Sequence, residues 1–352
     1  MKNGKTGGAI GLKNFKLAFV KCYKKNTITI NRERKVIMKR RISIILSLIM
    51  SIGLTSSVLG AEYDVQYQES QEEQMYVGTL PDVFSYDVTI EEIDNDIQNY
   101  IMFNNLECEI GTNEYLELME QFSFDPPSNV DDLDLRYYQA YASLYLAGDN
   151  IEDLSVKTIG EIREENRRKN EIILENINSE APIINSEQPS MNIAYNLDAA
   201  KDYAYAYALV NNYNYPEYGS DCTNFASQIL YAGGFGTTTS WNIWAGRGTL
   251  AWTNWVNAGG FLEYWSLDRG YLGQVCTTLD QVNARAKTGD FLVWMETDTY
   301  SYYHTQFVQR KVNGYVYCTQ HSPHYYNEKL SSRITDPAKY FKNKNVYIVK
   351  FS

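Results

Sequence analysis

The stretch Tyr218–Phe235, YGSDCTNFASQILYAGGF, decides how the chain is read. Phe225, Ala226, Ile229 and Leu230 recur at helical spacing and Gly233-Gly234 closes the run, so a helix opening near Cys222 is expected. Asp221 is an N-cap residue type, its carboxylate suited to take free amides of the next turn, which puts Cys222 at the first helical position. There the unpaired N–H groups and the positive end of the helix dipole favour a thiolate over a thiol. The same amides can hold the oxyanion that forms when a thiolate adds to an amide carbonyl. The competing reading of Cys222 is a small buried core residue.

A nucleophile needs a base, and the three histidines, His304, His321 and His324, all lie in the C-terminal part. Histidine takes and returns a proton near neutral pH. Val312-Asn313-Gly314-Tyr315 predicts a two-residue hairpin turn. With Val312 facing Tyr315, Gln306 faces His321 and His304 faces Pro323. His304 and His321 then share a face as diagonal neighbours, about 7–8 Å apart along the backbone, while Gln320 points the other way. A bulge would reverse this arrangement. On that register His304 is the base and His321 orients it, against the competing reading of two half-buried hairpin histidines. His324, beside Pro323, is expected to be exposed. A zinc site built from Cys222, His304 and His321 lacks HExxH or clustered Cys/His spacing, so neither metal nor cofactor is expected.

Farther from the cysteine, composition divides the chain. Between Ala61 and Ser190 there are about 30 Asp and Glu against about 6 Lys and Arg, and the remainder to Ser352 is close to neutral. No basic stripe is present, which argues against a nucleic-acid partner. TIEEIDNDIQNYIMFNN, with Thr89 as N-cap and Ile93, Ile97 and Ile101 every four residues, predicts a helix. VDDLDLRYYQAYASLYLAGDN predicts a second, ending at Gly148, and the charged IGEIREENRRKNEIILENI an exposed connecting helix. NSEAPIINSEQPSMN breaks the periodicity and marks a boundary near residue 190, or else a long loop within one domain. After it, Asn196 caps a helix over NLDAAKDYAYAYALVNNYN, and GDFLVWME, HTQFVQRKV, GYVYCTQHS and VYIVKFS read as strands. Helices first and an antiparallel sheet afterwards make the fold class α+β.

Residues 1–37 read as a start-site artefact, because MKRRISIILSLIMSIGLTSSVLGA from Met38 has the basic, apolar and small-residue regions of a signal peptide over 38–60. The competing reading is an uncleaved anchor. No later segment is long and apolar enough to span a membrane, and a secreted or wall-associated chain is expected. Cys108, Cys222, Cys276 and Cys318 have the wide spacing of no small disulfide scaffold, and their pairing is open.

YNLDAAKDYAYAYALVNNYNYPEYGSDCTNFASQILYAGGF, with TGDFLVW, YYHTQFV and YCTQHSPHYYNEKL, resembles the family described as "putative amidase domain" of exported bacterial proteins. DCTNFxSQ is the most specific segment, and the likeness covers about residues 191–352. The resemblance extends to the NlpC-type and CHAP hydrolases of the papain-like superfamily. It implies a papain-like catalytic domain over 191–352 behind an acidic helical accessory domain over 61–190. By it, Cys222 is the nucleophile, His304 the base and His321 the third polar residue, a position that Gln320 also fits. The substrate implied is a peptide or N-acyl amide bond, with bacterial peptidoglycan the natural choice. Tyr218 is a candidate hydroxyl for the oxyanion, with packing as its competing reading. Five of the six Trp lie between Ser240 and Trp265. Trp241, Trp244, Trp252 and Trp255 read either as a glycan-binding wall or as anchors of an insertion. The function expected is an exported cysteine hydrolase of an amide bond. Its rivals are a non-catalytic wall-binding module and a transglutaminase-like acyl transferase.

Overall fold

In the computed structural model residues 75–171, 195–334 and 336–351 are described, all of them within the compact unit Gln71–Ser352. The readings of 1–37 and 38–60, and the proposed boundary near residue 190, lie outside the described residues.

Local sequence signals account for the first helices. Thr89 caps α1 (Ile90–Phe103), its side chain accepting from Glu92 N while the Glu92 carboxylate accepts from Thr89 N at 2.8 Å. Ile90, Ile93, Ile97 and Ile101 are buried along it, each worth about 1.5–3 kcal/mol. A second helix, α2 (Asn113–Phe124), capped by Thr112, was not expected from the sequence. The next, α3 (Asp132–Ala147), is buried along most of its circumference and ends at Gly148 in the left-handed region, φ 84°.

Thr158 and Glu161 form another capping box at α4 (Ile159–Lys169). The predicted exposed connector is corrected here. Ile159 and Ile162 are buried, and Arg163, Asn166 and Asn170 donate to the carbonyls of Thr297, Thr299 and Tyr300. The long polar side chains of this helix satisfy a strand connection and are not spent on solvent.

The later part adds α5 (Leu197–Tyr207), α6 (Cys222–Ala232), α7 (Leu250–Val256), α8 (Ala258–Glu263) and α9 (Leu279–Arg285). Asn196 caps α5 as expected, accepting from Ala199 N at 3.0 Å. The sheet holds β1 (Leu272–Cys276), β2 (Phe291–Glu296), β3 (Ser301–Val312), β4 (Tyr315–Gln320), β5 (Tyr325–Lys329) and β6 (Lys344–Val349). All neighbours are antiparallel, in the order β1-β6-β2-β3-β4-β5. Mixed helices and an antiparallel sheet are thus present, with β1 and β5 additional to the strands read from sequence.

Alternation along the strands gives the sheet two apolar faces. Phe291, Val293, Phe307, Tyr347 and Val349 join one core with Ala200 and Ala204 of α5 and Phe225, Ile229 and Leu230 of α6. Leu292, Trp294, Val308, Cys318 and Ile348 join another that continues into Ile93, Met119, Phe122, Tyr138 and Ile162 of the early helices. The Arg136 guanidinium grips Asp298 with two contacts of 2.7 Å across that junction, and Asn343 Nδ2 donates to Gln139 Oε1 at 3.0 Å. The sheet is therefore the middle of three layers.

Candidate active site

Cys222 is the first residue of α6, as its neighbours predict, and Asp221 occupies the N-cap position with φ −100° and ψ 2°. The Asp221 carboxylate does not cap the helix, which corrects the expectation. It accepts from His321 Nδ1 at 2.7 Å, Asn224 Nδ2 at 2.8 Å and Tyr218 N at 3.3 Å. A buried imidazole is the stronger partner for a carboxylate than a backbone amide. With no cap bond from the Asp221 side chain, the first-turn amides of α6 keep the donor character that an oxyanion needs.

The thiol itself is covered: Cys222 is 3% exposed, and its Sγ lies 3.6 Å from Thr223 Oγ1. Thr223 Oγ1 in turn lies 2.9 Å from Thr305 Oγ1, seating α6 on β3. Burial pushes the Cys222 thiol up to about 11, the neighbouring Asp221 charge adding to it. Desolvation thus opposes the helix dipole that was expected to favour the thiolate. All four cysteines of the described residues are free thiols.

The two histidines part company at a bulge. Val312 faces Tyr315, and the predicted pairing holds through Arg310 and Tyr317. Gln309 then becomes an extra residue, so Val308 faces Cys318 and Phe307 faces Thr319. The shared face expected for His304 and His321 is lost, because one extra residue turns every later side chain over. Gln320, expected on the opposite face, is the partner of His304: Oε1 accepts from His304 Nε2 and from Gln306 Nε2, each at 2.6 Å. Trp294 Nε1 donates to Gln306 Oε1 at 2.8 Å, completing the network.

His304 also packs on Phe124 of α2, ring centroids 4.6 Å apart. Burial lowers it to about 4, the Gln320 bond opposing that shift, so the ring is neutral. It belongs to the face of Trp294, whereas the next residue, Thr305, belongs to the face on which the cysteine helix sits.

His321 is held on the cysteine side. Its ring stacks on Phe225 at 3.8 Å and 3°, and Nε2 lies 2.8 Å from the Tyr207 carbonyl. The ring thus bridges the Asp221 carboxylate and the Tyr207 carbonyl. Ser322 ties the same turn down, accepting from Asp221 N at 2.9 Å and donating to Gly219 O at 3.0 Å. His324, exposed as expected, stacks on His321 at 4.0 Å.

The remaining candidates divide between buried and open positions. Tyr218 Oη accepts from Trp252 Nε1 at 3.0 Å. Trp241 and Trp255 are fully buried, their rings 4.3 Å apart, which takes both out of the expected glycan wall. Trp244 is 64% exposed. Among the described residues no group of three or more His, Cys, Asp or Glu side chains is placed to hold a metal ion.

Sequence reading missed the cover over this turn. Leu116 lies against Gly219, where an added Cβ would come within 3.3 Å of Leu116 Cδ2. Glu120, buried in the same helix, is hydrogen-bonded to Ser322, and burial with Glu117 nearby pushes its carboxyl up to about 8. No motif marks Leu116, Glu120 or Phe124. Asn224 carried a signal, as a polar residue inside an apolar helix.

A buried thiol at the start of α6 and a carboxylate–imidazole pair in the turn beside it thus lie together in an α+β domain. Residues 194–348 match the family model described as "Putative amidase domain". YjcM of Bacillus subtilis strain 168, described as uncharacterized, is 30% identical over 161 residues, covering 42% of this chain. That stretch spans 33% of the length of YjcM. No solved structure matches the chain.

Proposed function

We propose that the chain is an exported cysteine hydrolase of amide bonds, acting on peptides of the bacterial cell wall through a papain-like domain. The observation that carries this reading is Cys222 at the uncapped start of α6 inside a stretch that matches an amidase family. The structure is, in this reading, the resting form. Once uncovered, the Cys222 thiolate attacks the carbonyl carbon and the first-turn amides hold the oxyanion. The C–N bond breaks, the amine leaves with a proton from the base, and water then releases the acyl group from sulfur. His304 is the base and the Asp221–His321 pair positions the turn. In the resting form His304 lies on the sheet face of Trp294, away from Cys222, so the active form of this reading must bring the imidazole and the thiol together.

The test is cleavage of stem-peptide fragments by the mature chain and by Cys222→Ala, His304→Ala and His321→Ala variants. Loss of activity in Cys222→Ala and His304→Ala supports the reading, and cleavage that survives Cys222→Ala overturns it. Added amine separates transfer from hydrolysis by its product. The burial of Cys222 favours a second reading, a binding module without chemistry. That reading predicts that iodoacetamide leaves Cys222 unlabelled under every condition in which wall fragments bind.

A further inference from the structure

We infer that Trp244, backed by Tyr215, is a stacking platform for a sugar ring of a glycan strand, built onto the same turn as Cys222. This deepens the hydrolase reading by naming a part of the substrate, and rests on that reading for the choice of glycan.

The rings form a graded stack. Trp241 and Trp255 lie 4.3 Å apart in the core, Tyr215 stacks on Trp255 at 6.3 Å and 17°, and Trp244 stacks on Tyr215 at 6.0 Å and 21°. The outermost indole is 64% exposed, so its orientation is fixed from beneath while its ring stays open to solvent. Asn242 adds a second restraint, its side chain accepting from Trp244 N at 2.9 Å. A rigid, neutral ring with one open face suits the C–H face of a pyranose, and the ordering cost has been met before binding. Arg247, three residues on from Trp244 in sequence, lies over the Trp252 ring, and Asn214, next to Tyr215, is exposed. Nucleobases also stack on such rings, but no basic stripe is present to hold the phosphates that come with them.

Asn224 joins this platform to the cysteine turn. Two residues past Cys222, its Oδ1 accepts from Trp255 Nε1 at 2.9 Å, while its Nδ2 donates to Pro216 O at 3.0 Å and Asp221 Oδ1 at 2.8 Å. Tyr215 is therefore held in register with residue 222 through one side chain.

The experiment is titration of the full chain carrying Cys222→Ser with the β-1,4-linked tetramer of N-acetylglucosamine, followed by calorimetry and tryptophan fluorescence. Binding is expected, weakened about ten-fold or more by Trp244→Ala and by Tyr215→Ala, and largely kept by Trp244→Tyr. No binding of the tetramer, affinity indifferent to Trp244→Ala, or a sugar-free stem peptide that competes for the same indole would overturn the proposal. Failure of the hydrolase reading would show separately, as absent cleavage with the saccharide titration unchanged.

Discussion

At the scale of single residues, the turn around Cys222 is governed by which polar atoms find partners in the dark of the interior. Asp221 and His321 sit almost completely buried and 2.7 Å apart, so removing either leaves the other without its counterpart. Asp221→Asn or His321→Ala is expected to cost about 3–5 kcal/mol in urea unfolding, and the double variant less than the sum of the two. Glu120 presents the opposite case. Its carboxyl stays protonated up to about pH 8 in the folded chain, whereas an ordinary carboxyl in the unfolded chain has lost its proton well below that. The folded state binds the extra proton, so the contribution of Glu120 is complete at acid pH and is lost as pH rises through 8. Glu120→Gln, which cannot ionise, should flatten the fall of the urea midpoint between pH 6 and 9; an unchanged slope would remove Glu120 from the account. His304 runs the other way, its depressed value keeping the ring neutral until about pH 4, where protonation draws on stability.

At the scale of elements, Gln309 decides which histidine looks at which helix. Deleting it would restore the register that the Asn-Gly turn sets and drive Val308 and the residues before it through the sheet. The expected outcome is a loss of more than about 4 kcal/mol, read as a collapse of the urea midpoint, because both apolar faces would be mismatched together. The turn at Asn313-Gly314 was legible since its backbone requirement is written in two residues, whereas the bulge sits at a glutamine with no local signature. The same difference separates what was readable in the site. Cys222 at a helix start follows from its immediate neighbours, as do the caps at Thr89 and Asn196. The use of the Asp221 carboxylate was not readable, because its partner lies 100 residues away and arrives only through the β4–β5 turn. The second helix, whose Leu116, Glu120 and Phe124 cover the turn and His304, was overlooked for want of a sharp apolar period in TNEYLELMEQFSF.

At the scale of the molecule, the early helices and the sheet share one core, and the stretch that matches the amidase family carries less than half of it. Residues 195–351 produced alone would expose Tyr303 and His304, now packed on Phe124, and would strip Asp298 and Asn343 of their partners Arg136 and Gln139. That fragment is expected to bind ANS and to unfold without a cooperative transition, while the chain from residue 71 unfolds in a single step. Sharp, two-state melting of the fragment would show instead that the family stretch stands by itself. The place of β6 between β1 and β2 has a temporal meaning too. A ribosome delivers the acidic helices and β1–β5 before Lys344–Val349, yet β1 is joined to β2 only through that strand. A nascent chain therefore holds β1 without its neighbour and one edge of β2 open until Val349 has been made.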